Sequence, residues 1–391
     1  MLDNKELLIS VLIPSLNSQD YIKECVESVM NQTLEGIEIL CIDAGSTDGT
    51  LNILNQLANR DSRVKIFNSD KKSYGYQMNI GLSNAKGKYV SIVESDDFID
   101  KNMLGNLFDL AMKYDADIIK STFYHYYDHS SGKETETDDA KKNLKASDTF
   151  KLEQQPLFLN GHPSIWAAIY KKEFLKENNI RFIEEDGAGW VDNPFFYETA
   201  FLANKIVYEH VPYYYYRETN QGSSSNSLSD LSIPIKRMMD NLDIVEKYDC
   251  NDELVLKEVY IRAFAYINNI FRRDGSEEYM DELLPLIQEM LLRLDEGIVL
   301  KYLKRKHIDA YYKYISPVNM LSSNEQSITI SKNDWDLIKK ENRYLYSQIE
   351  NYKKDRQESK NQIRLLKREL KDNKSQSSSS NSINKIKSMF K

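Results

Sequence analysis

From Leu7 to Thr122 the chain alternates short apolar runs with amphipathic stretches, and that rhythm restricts the fold more than any other feature. Leu7–Ile13 (LLISVLI), Ile37–Ile42 (IEILCI), Val64–Phe67, Lys88–Val93 and Asp117–Thr122 (DIIKST) read as strands. Between them, Gln19–Asn31, Thr47–Asn59, Tyr76–Ala85 and Asn102–Lys113 read as helices. Ile22, Val26 and Val29 share one face of the first, and Leu51, Leu54 and Leu57 recur every third residue in the second. Strand–helix alternation predicts an α/β fold with a mostly parallel sheet and helices on both faces. Such sheets bind ligands at the carboxyl ends of their strands.

One of those ends is unusual. The run Tyr89–Val93 stops at Glu94-Ser95-Asp96-Asp97, where neighbouring carboxylates repel one another and resist losing water. A divalent cation resolves the conflict, because Mg²⁺ and Mn²⁺ take oxygen ligands and complete their shells with phosphate and water. The competing reading is a helix start, with Asp96, Asp97 and Asp100 meeting the dipole of the helix that follows. The first strand runs into Pro14-Ser15-Leu16-Asn17, and the second into Asp43-Ala44-Gly45-Ser46-Thr47-Asp48-Gly49-Thr50, at the same end of the sheet. Asp43 can accept from a base or a ribose hydroxyl; Gly45 and Gly49 suit tight turns or close backbone approach. Asp48 reads as a helix cap.

Bulk composition removes other classes. At 41% hydrophobic and 29% charged the chain is globular, and a net charge of −8 argues against a nucleic-acid binder. Cys25, Cys41 and Cys250 form no CxxC pair, so neither a disulfide framework nor a zinc ribbon is expected. The start MLDNKELLIS lacks the pattern of a signal peptide, and no apolar run approaches the about 20 residues that span a bilayer. A reducing cytosol is the expected compartment. The 26 tyrosines often accompany carbohydrate stacking but also fill cores and surfaces.

Farther along, Asp128–Ser147 is polar and reads as an exposed loop or insertion, and Ser229–Tyr314 is helical throughout. Trp335–Leu370 carries a heptad, with Trp335, Asn342, Ile349, Arg356, Ile363 and Leu370 on one seam and Ile338, Leu345, Tyr352, Ser359 and Leu366 on the other. Gln376–Ser382 reads as a flexible linker. The tail INKIKSMFK pairs Ile383, Ile386 and Phe390 with lysines, a pattern suited to an anionic membrane surface as well as to a disordered end.

Taken together, VLIPSLN, CIDAGSTDGT, NIGLSNAKGKYV and VESDD, in this order and spacing, resemble family 2 glycosyltransferases with the GT-A fold, over roughly Leu7 to Ser225. The resemblance implies a nucleotide-sugar donor held by Pro14, Asn17, Asp43, Gly75, Asn79, Glu94, Ser95 and Asp96. Asp96 and Asp97 would hold Mn²⁺ or Mg²⁺ on the diphosphate. Two positions depart from the family pattern: Ala44 replaces a second Asp, and Met78 stands where an Arg often precedes Asn-x-Gly, so Lys71 or Lys72 is the substitute cation. Transfer by direct displacement needs one base for the attacking hydroxyl. GWVDNPFFYE (Gly189–Glu198) resembles the later acidic stretch of the family and puts Asp192 in that role, with Asp186 and Glu185 as runners-up. The alternative for Asp192 is an N-cap, with Pro194 just downstream. HPSIWAAIYKKEFL (His162–Leu175) resembles the acceptor-side strand, with Trp166 as a sugar platform or core residue and His162 beside it. Tyr213–Ser227 resembles the loop that closes on the diphosphate, with Arg217 as leaving-group clamp or surface ion pair.

The expectation is an inverting, metal-dependent hexosyltransferase, most simply UDP-dependent, acting on a lipid-linked or protein-linked glycan. Its parts are a GT-A domain (1–227), a helical add-on (228–330), a coiled coil (334–371) and a linker with a basic tail (372–391). The coiled coil predicts a homo-oligomer, and the tail a peripheral contact with the inner face of the membrane; no nucleic-acid partner is expected. Two rivals remain. A nucleotidyltransferase would want a Gly-rich basic loop after the first strand, which PSLNSQDY is not. A catalytically inactive GT-A-like scaffold would assemble other transferases through the coiled coil.

Overall fold

The structure, a computed structural model, describes residues 6–130, 132–145, 148–220, 230–272 and 280–315. The coiled coil, the linker and the basic tail expected from the sequence lie outside these residues.

The amino-terminal part follows the predicted rhythm. Strands β1 (Ile9–Ser15), β2 (Ile37–Asp43), β3 (Val64–Asn68) and β4 (Tyr89–Ile92) are joined through helices α1 (Ile22–Met30), α2 (Thr50–Arg60) and α3 (Tyr74–Asn84). They pair in parallel, in the order β3-β2-β1-β4. All seven residues of β1 and all seven of β2 are buried. Since alternate side chains point to opposite faces, both faces of this sheet are covered, which is why these strands read as unbroken apolar runs. Each fully buried Ile, Leu or Val in them contributes roughly 1.5–3 kcal/mol. Gly81 lets α3 lie close on the sheet, because a Cβ there would come within 2.9 Å of Leu12.

The second half of the sheet corrects the expectation of a mostly parallel arrangement. The elements that follow are β5 (Phe98–Ile99), α4 (Met103–Tyr114), β6 (Ile118–His129), β7 (Gly132–Thr137), β8 (Ala168–Lys171), α5 (Lys172–Glu177), α6 (Asp192–Leu202) and β9 (Ile206–Arg217). β8 inserts between β4 and β6 and runs antiparallel to both, while β6 pairs with β9 in parallel. β5 and β7 add antiparallel edges. The sheet is therefore mixed. A four-residue buried run such as AIYK carries no local mark of its direction. Asp128–Ser147 is likewise no simple loop: its first part forms the β6–β7 hairpin, fully exposed along β7.

Among the described residues five helices follow: α7 (Ile233–Lys247), α8 (Glu253–Phe271), α9 (Met280–Leu292), α10 (Glu296–Tyr302) and α11 (Arg305–Ile315). α7 packs on α6, and α8 packs on a 3₁₀ turn at Pro156–Leu159, within one compact unit shared with the sheet. Among the described residues, no helix is long and apolar enough to cross a membrane.

Candidate functional site

A cleft of about 960 Å³ opens where β1 and β4 end. Its floor is the acidic turn. Asp97 N–H donates to the Glu94 carbonyl at 3.1 Å, and the chain then enters β5. Asp96 and Asp97 thus precede a strand, and the helix-start reading fails for them. α4 begins at Met103, and Asp100 is the acid that serves its start, accepting from Asn102 N–H at 2.8 Å.

Each acid in the turn has a different environment. Tyr74 Oη donates to Glu94 at 2.7 Å, and Glu94 N–H donates to Tyr214 Oη at 3.0 Å. Burial, with the charges of Asp96 and Asp192 behind it, pushes the Glu94 carboxyl up to about 8 despite the Tyr74 hydrogen bond. Asp97 is 2% exposed. Its Oδ1 accepts from Arg217 N–H and its Oδ2 from Tyr214 Oη, both at 2.8 Å. Asp96 lines the cleft and accepts from Asn220 at 2.8 Å. Ser95 bonds Ser18 across the floor at 2.8 Å, tying the β4 end to the β1 end.

Pro14 and Asn17 line the cleft. Asn17, at φ 52°, accepts from Thr47 N–H at 2.8 Å and so links the loops after β1 and β2. Asp43 lies outside the lining, 2% exposed, its oxygens accepting from Ser15, Gly45 and Ser46. It shapes the DAGS loop from within. Asp48 accepts from Thr50 N–H at 2.9 Å and from Gln19 N–H at 3.1 Å, but it stands one residue before the N-cap of α2, which is Gly49.

Gly75 and Asn79 also stand outside the lining and hold the segment that leads to Asp192. A Cβ on Gly75 would lie 1.8 Å from the Ile183 carbonyl oxygen. Asn79 exchanges hydrogen bonds with the Phe182 backbone at 2.9 and 3.0 Å. Of the two substitute cations, Lys72 lines the cleft, whereas Lys71 pairs with Glu184 at 3.4 Å.

Arg217 is enclosed. Tyr213–Arg217 belongs to β9 rather than to a loop, because these aromatic residues pair with β5 and β6. The guanidinium is 4% exposed, pairs with Glu24 at 2.6 Å and Asp128 at 3.4 Å, and donates through Nε to the Asp96 carbonyl at 2.8 Å. It supports the acidic turn from behind.

Opposite the turn stands Asp192, the first residue of α6. It stands one position past the N-cap, Val191, and its carboxyl takes backbone N–H bonds of the first turn, from Asp192 and Asn193. Burial raises its carboxyl to about 6, against local hydrogen bonds and the Arg262 charge. The runners-up fall away from the cleft, with Glu185 paired to Arg237 at 2.7 Å and Asp186 exposed. Asn193 donates to Asp192 Oδ1 at 3.2 Å and accepts from Tyr266 Oη, which takes a hydrogen bond from Arg262 at 3.3 Å. α8 therefore supports the acid from the far wall.

Trp166 and His162 lie near this wall. Trp166 is 4% exposed and stacks with Tyr214 and Tyr216, centroids 4.1 and 5.3 Å away. His162 faces the cleft, its Nδ1 accepting from Ser164 N–H at 2.9 Å. Desolvation, then the Lys120, Lys141 and Arg262 charges, lower its pKa and keep the ring neutral. Those cations frame its loop, LNGHPS. Arg262 donates to the carbonyls of Leu159 and Gly161, Lys141 to those of Asn160 and His162, and Lys120 to those of Pro163 and Ser164. Lys120 is legible as a charge inside the apolar strand DIIKST, whereas Tyr74, Trp190 and the α8 wall join the site only through the fold.

Among the described residues, no three His, Cys, Asp or Glu side chains converge as a protein-only metal cage. The turn nonetheless fits a hard cation of the kind that uses one or two carboxylates and completes its shell with phosphate and water. Asp96 offers the carboxylate that faces the cleft, with the pinned Asp97 behind it.

The family model for glycosyl transferase family 2 matches residues 10–178. Glycosyltransferase GlyG of Streptococcus pneumoniae serotype 4 is 32% identical over 232 residues, covering 58% of this chain and 75% of that protein. The chain belongs to glycosyl transferase family 2. It is a glycosyltransferase, and the family-level activity is transfer of a sugar from a nucleotide-sugar donor. The poly(ribitol-phosphate) beta-glucosyltransferase of Bacillus spizizenii is 32% identical over 216 residues, which are 53% of this chain but only 32% of that protein. S. aureus TarS 1-349, solved with UDP-GlcNAc, matches with a TM-score of 0.67 at 19% identity, covering 81% of this chain and 89% of that one. The likeness establishes the fold, GT-A-like with a mixed sheet and a C-terminal helical extension.

Proposed function

We propose that this glycosyltransferase moves a hexose from a UDP-linked donor to a hydroxyl of a lipid-linked or protein-linked surface glycan, with inversion at the anomeric carbon. The observation that carries the reading is the position of Asp192. One carboxylate faces the acidic turn across a single cleft, and its pKa, near 6, suits a group that must accept a proton near neutral pH. Asp192 takes the proton of the acceptor hydroxyl, and that oxygen attacks the face of the sugar opposite the leaving diphosphate. One displacement inverts the centre, so an α-linked donor yields a β-linked product. The bound UDP-GlcNAc of S. aureus TarS and the β-linkage named for the B. spizizenii enzyme support the donor class and the stereochemistry.

Pro14, Asn17, Ser95 and Lys72 border the donor half, where Lys72 offers positive charge to a phosphate. Tyr74 orients Glu94. A divalent cation held by Asp96 with Asp97 supplies charge against the departing diphosphate when bound.

The test is binding of UDP and a panel of UDP-sugars, with Mn²⁺ and with EDTA, to wild type and Asp96→Asn. Metal-dependent binding to wild type that the variant loses supports the reading. If wild type binds no nucleotide under either condition, the donor assignment is wrong and the scaffold reading takes its place.

A further inference from the structure

The residue singled out in the sequence as a sugar platform, Trp166, borders the cleft but is 4% exposed and stacked among Tyr214 and Tyr216, so little of its ring is open. A second indole occupies the position it lacks. Trp190 lines the cleft, is half-buried, and stands two residues before Asp192. Its backbone is in the left-handed region, at φ 54°. The other described non-glycine residues with positive φ are Asn, Asp or Ser. Asn and Asp tolerate that region, whereas for a bulky ring it is an outlier held by its surroundings. Gly187 and Gly189, at φ 75° and 53°, complete the turn that presents the ring. The rings of Trp190 and Tyr266 pack at 72°, centroids 5.6 Å apart, and the half-buried indole borders the cleft.

Beside Trp190 the wall continues along α8, where Ile261, Ala265 and Asn269 border the same space. Ala265 is exposed and leaves room beside the ring. Lys120 and Lys141 lie behind the lining and donate to carbonyls of the LNGHPS loop. Arg262, which does line the cleft, donates to the Leu159 and Gly161 carbonyls, with Glu258 bordering the same space. This wall therefore carries both signs of charge rather than a cluster of cations suited to phosphate. A flat apolar face next to a proton acceptor suits a neutral pyranose, whose C–H face stacks while a hydroxyl turns to the base.

We propose that Trp190 and the facing side of α8 form the acceptor subsite, taking one neutral pyranose ring stacked on the indole with its nucleophilic hydroxyl toward Asp192. This rests on the transferase reading of the cleft.

The full chain, saturated with UDP and Mn²⁺, is titrated with methyl β-glucoside, methyl β-galactoside and methyl N-acetyl-β-glucosaminide, and binding is followed by saturation-transfer NMR. At least one glycoside binds wild type through its C–H protons. Trp190→Gly, whose glycine accepts φ 54° without a Cβ, raises that Kd about tenfold or more through loss of the apolar face. Trp190→Phe retains most of the affinity, and UDP binds both variants as it binds wild type. If Trp190→Gly binds the glycoside as tightly as wild type, or if UDP binds and no glycoside does, this subsite is wrong while the donor site stands. If wild type fails to bind UDP, the transferase reading fails and the subsite falls with it.

Discussion

Asp192→Asn removes the charge of the proposed base and keeps its shape, so it separates catalysis from stability. Losing a general base lowers kcat by about 10²–10⁴-fold. Stability moves the other way. The folded carboxyl holds its proton up to about pH 6, against 3.8 in its ordinary state. Between these values the folded chain binds more protons than the unfolded one, so stability falls as pH rises through the window. The favourable contribution is complete below 3.8 and gone above about 6. The full gap corresponds to roughly 3 kcal/mol, and partial exposure to the cleft reduces it to roughly 1–2 kcal/mol. Urea melts at pH 3.5–8 measure it: relative to wild type, the Asn variant gains stability as pH rises and is the more stable protein at pH 8. Activity in wild type falls on the acid side of about pH 6, where Asp192 takes up its proton. Parallel pH–stability curves for the two proteins, or variant activity within about tenfold of wild type, would refute the assignment.

Three further outcomes follow from the geometry. Gly75→Ala puts a Cβ 1.8 Å from the Ile183 carbonyl and costs at least about 2 kcal/mol in a urea melt, displacing the segment that leads to Asp192. Arg217→Met removes the partner of Glu24 and Asp128 and the Nε–H bond to Asp96; a loss of about 2–3 kcal/mol is expected, together with weaker UDP binding by calorimetry. His125 lies 3.5 Å from Asp138 and 2.6 Å from Glu218, which raise its pKa to about 9. Its contribution to stability is full below 6.5 and lost as pH rises through about 9, so thermal midpoints of wild type fall over that range while those of His125→Gln stay level.

Pro14, Asn17 and the Glu94–Asp97 turn meet in one cleft because they follow consecutive strands, whereas Asp43, Gly75 and Asn79, also expected there, lie outside its lining. Periodicity locates β1, β2 and β4, and the residues that follow them have only one place to go. Asp192 was singled out by the resemblance of GWVDNPFFYE to the family's later acidic stretch, and it does border the cleft. The rest depends on partners distant in the chain. Arg217 looks like a surface cation until Glu24, 193 positions away, is seen closing over it. The direction of β8 is set by its neighbours, not by AIYK. α8 reads as one more buried helix, and nothing in its spacing says that Tyr266 reaches Asn193 across 73 residues. Trp190 was hidden differently: Gly-Ala-Gly-Trp announces a turn, but only the backbone angle shows that the indole was placed there at a cost.

The loop at 159–164 offers six successive carbonyls to three cations, which come from β6, from the segment after β7 and from α8. No single stretch of chain owns that loop. Exchanging it alone between relatives would install carbonyls without the donors that hold them. A transplant of the loop has to carry Lys120, Lys141 and Arg262 with it, and a chain cut before α8 would lose a wall of its cleft along with its helices.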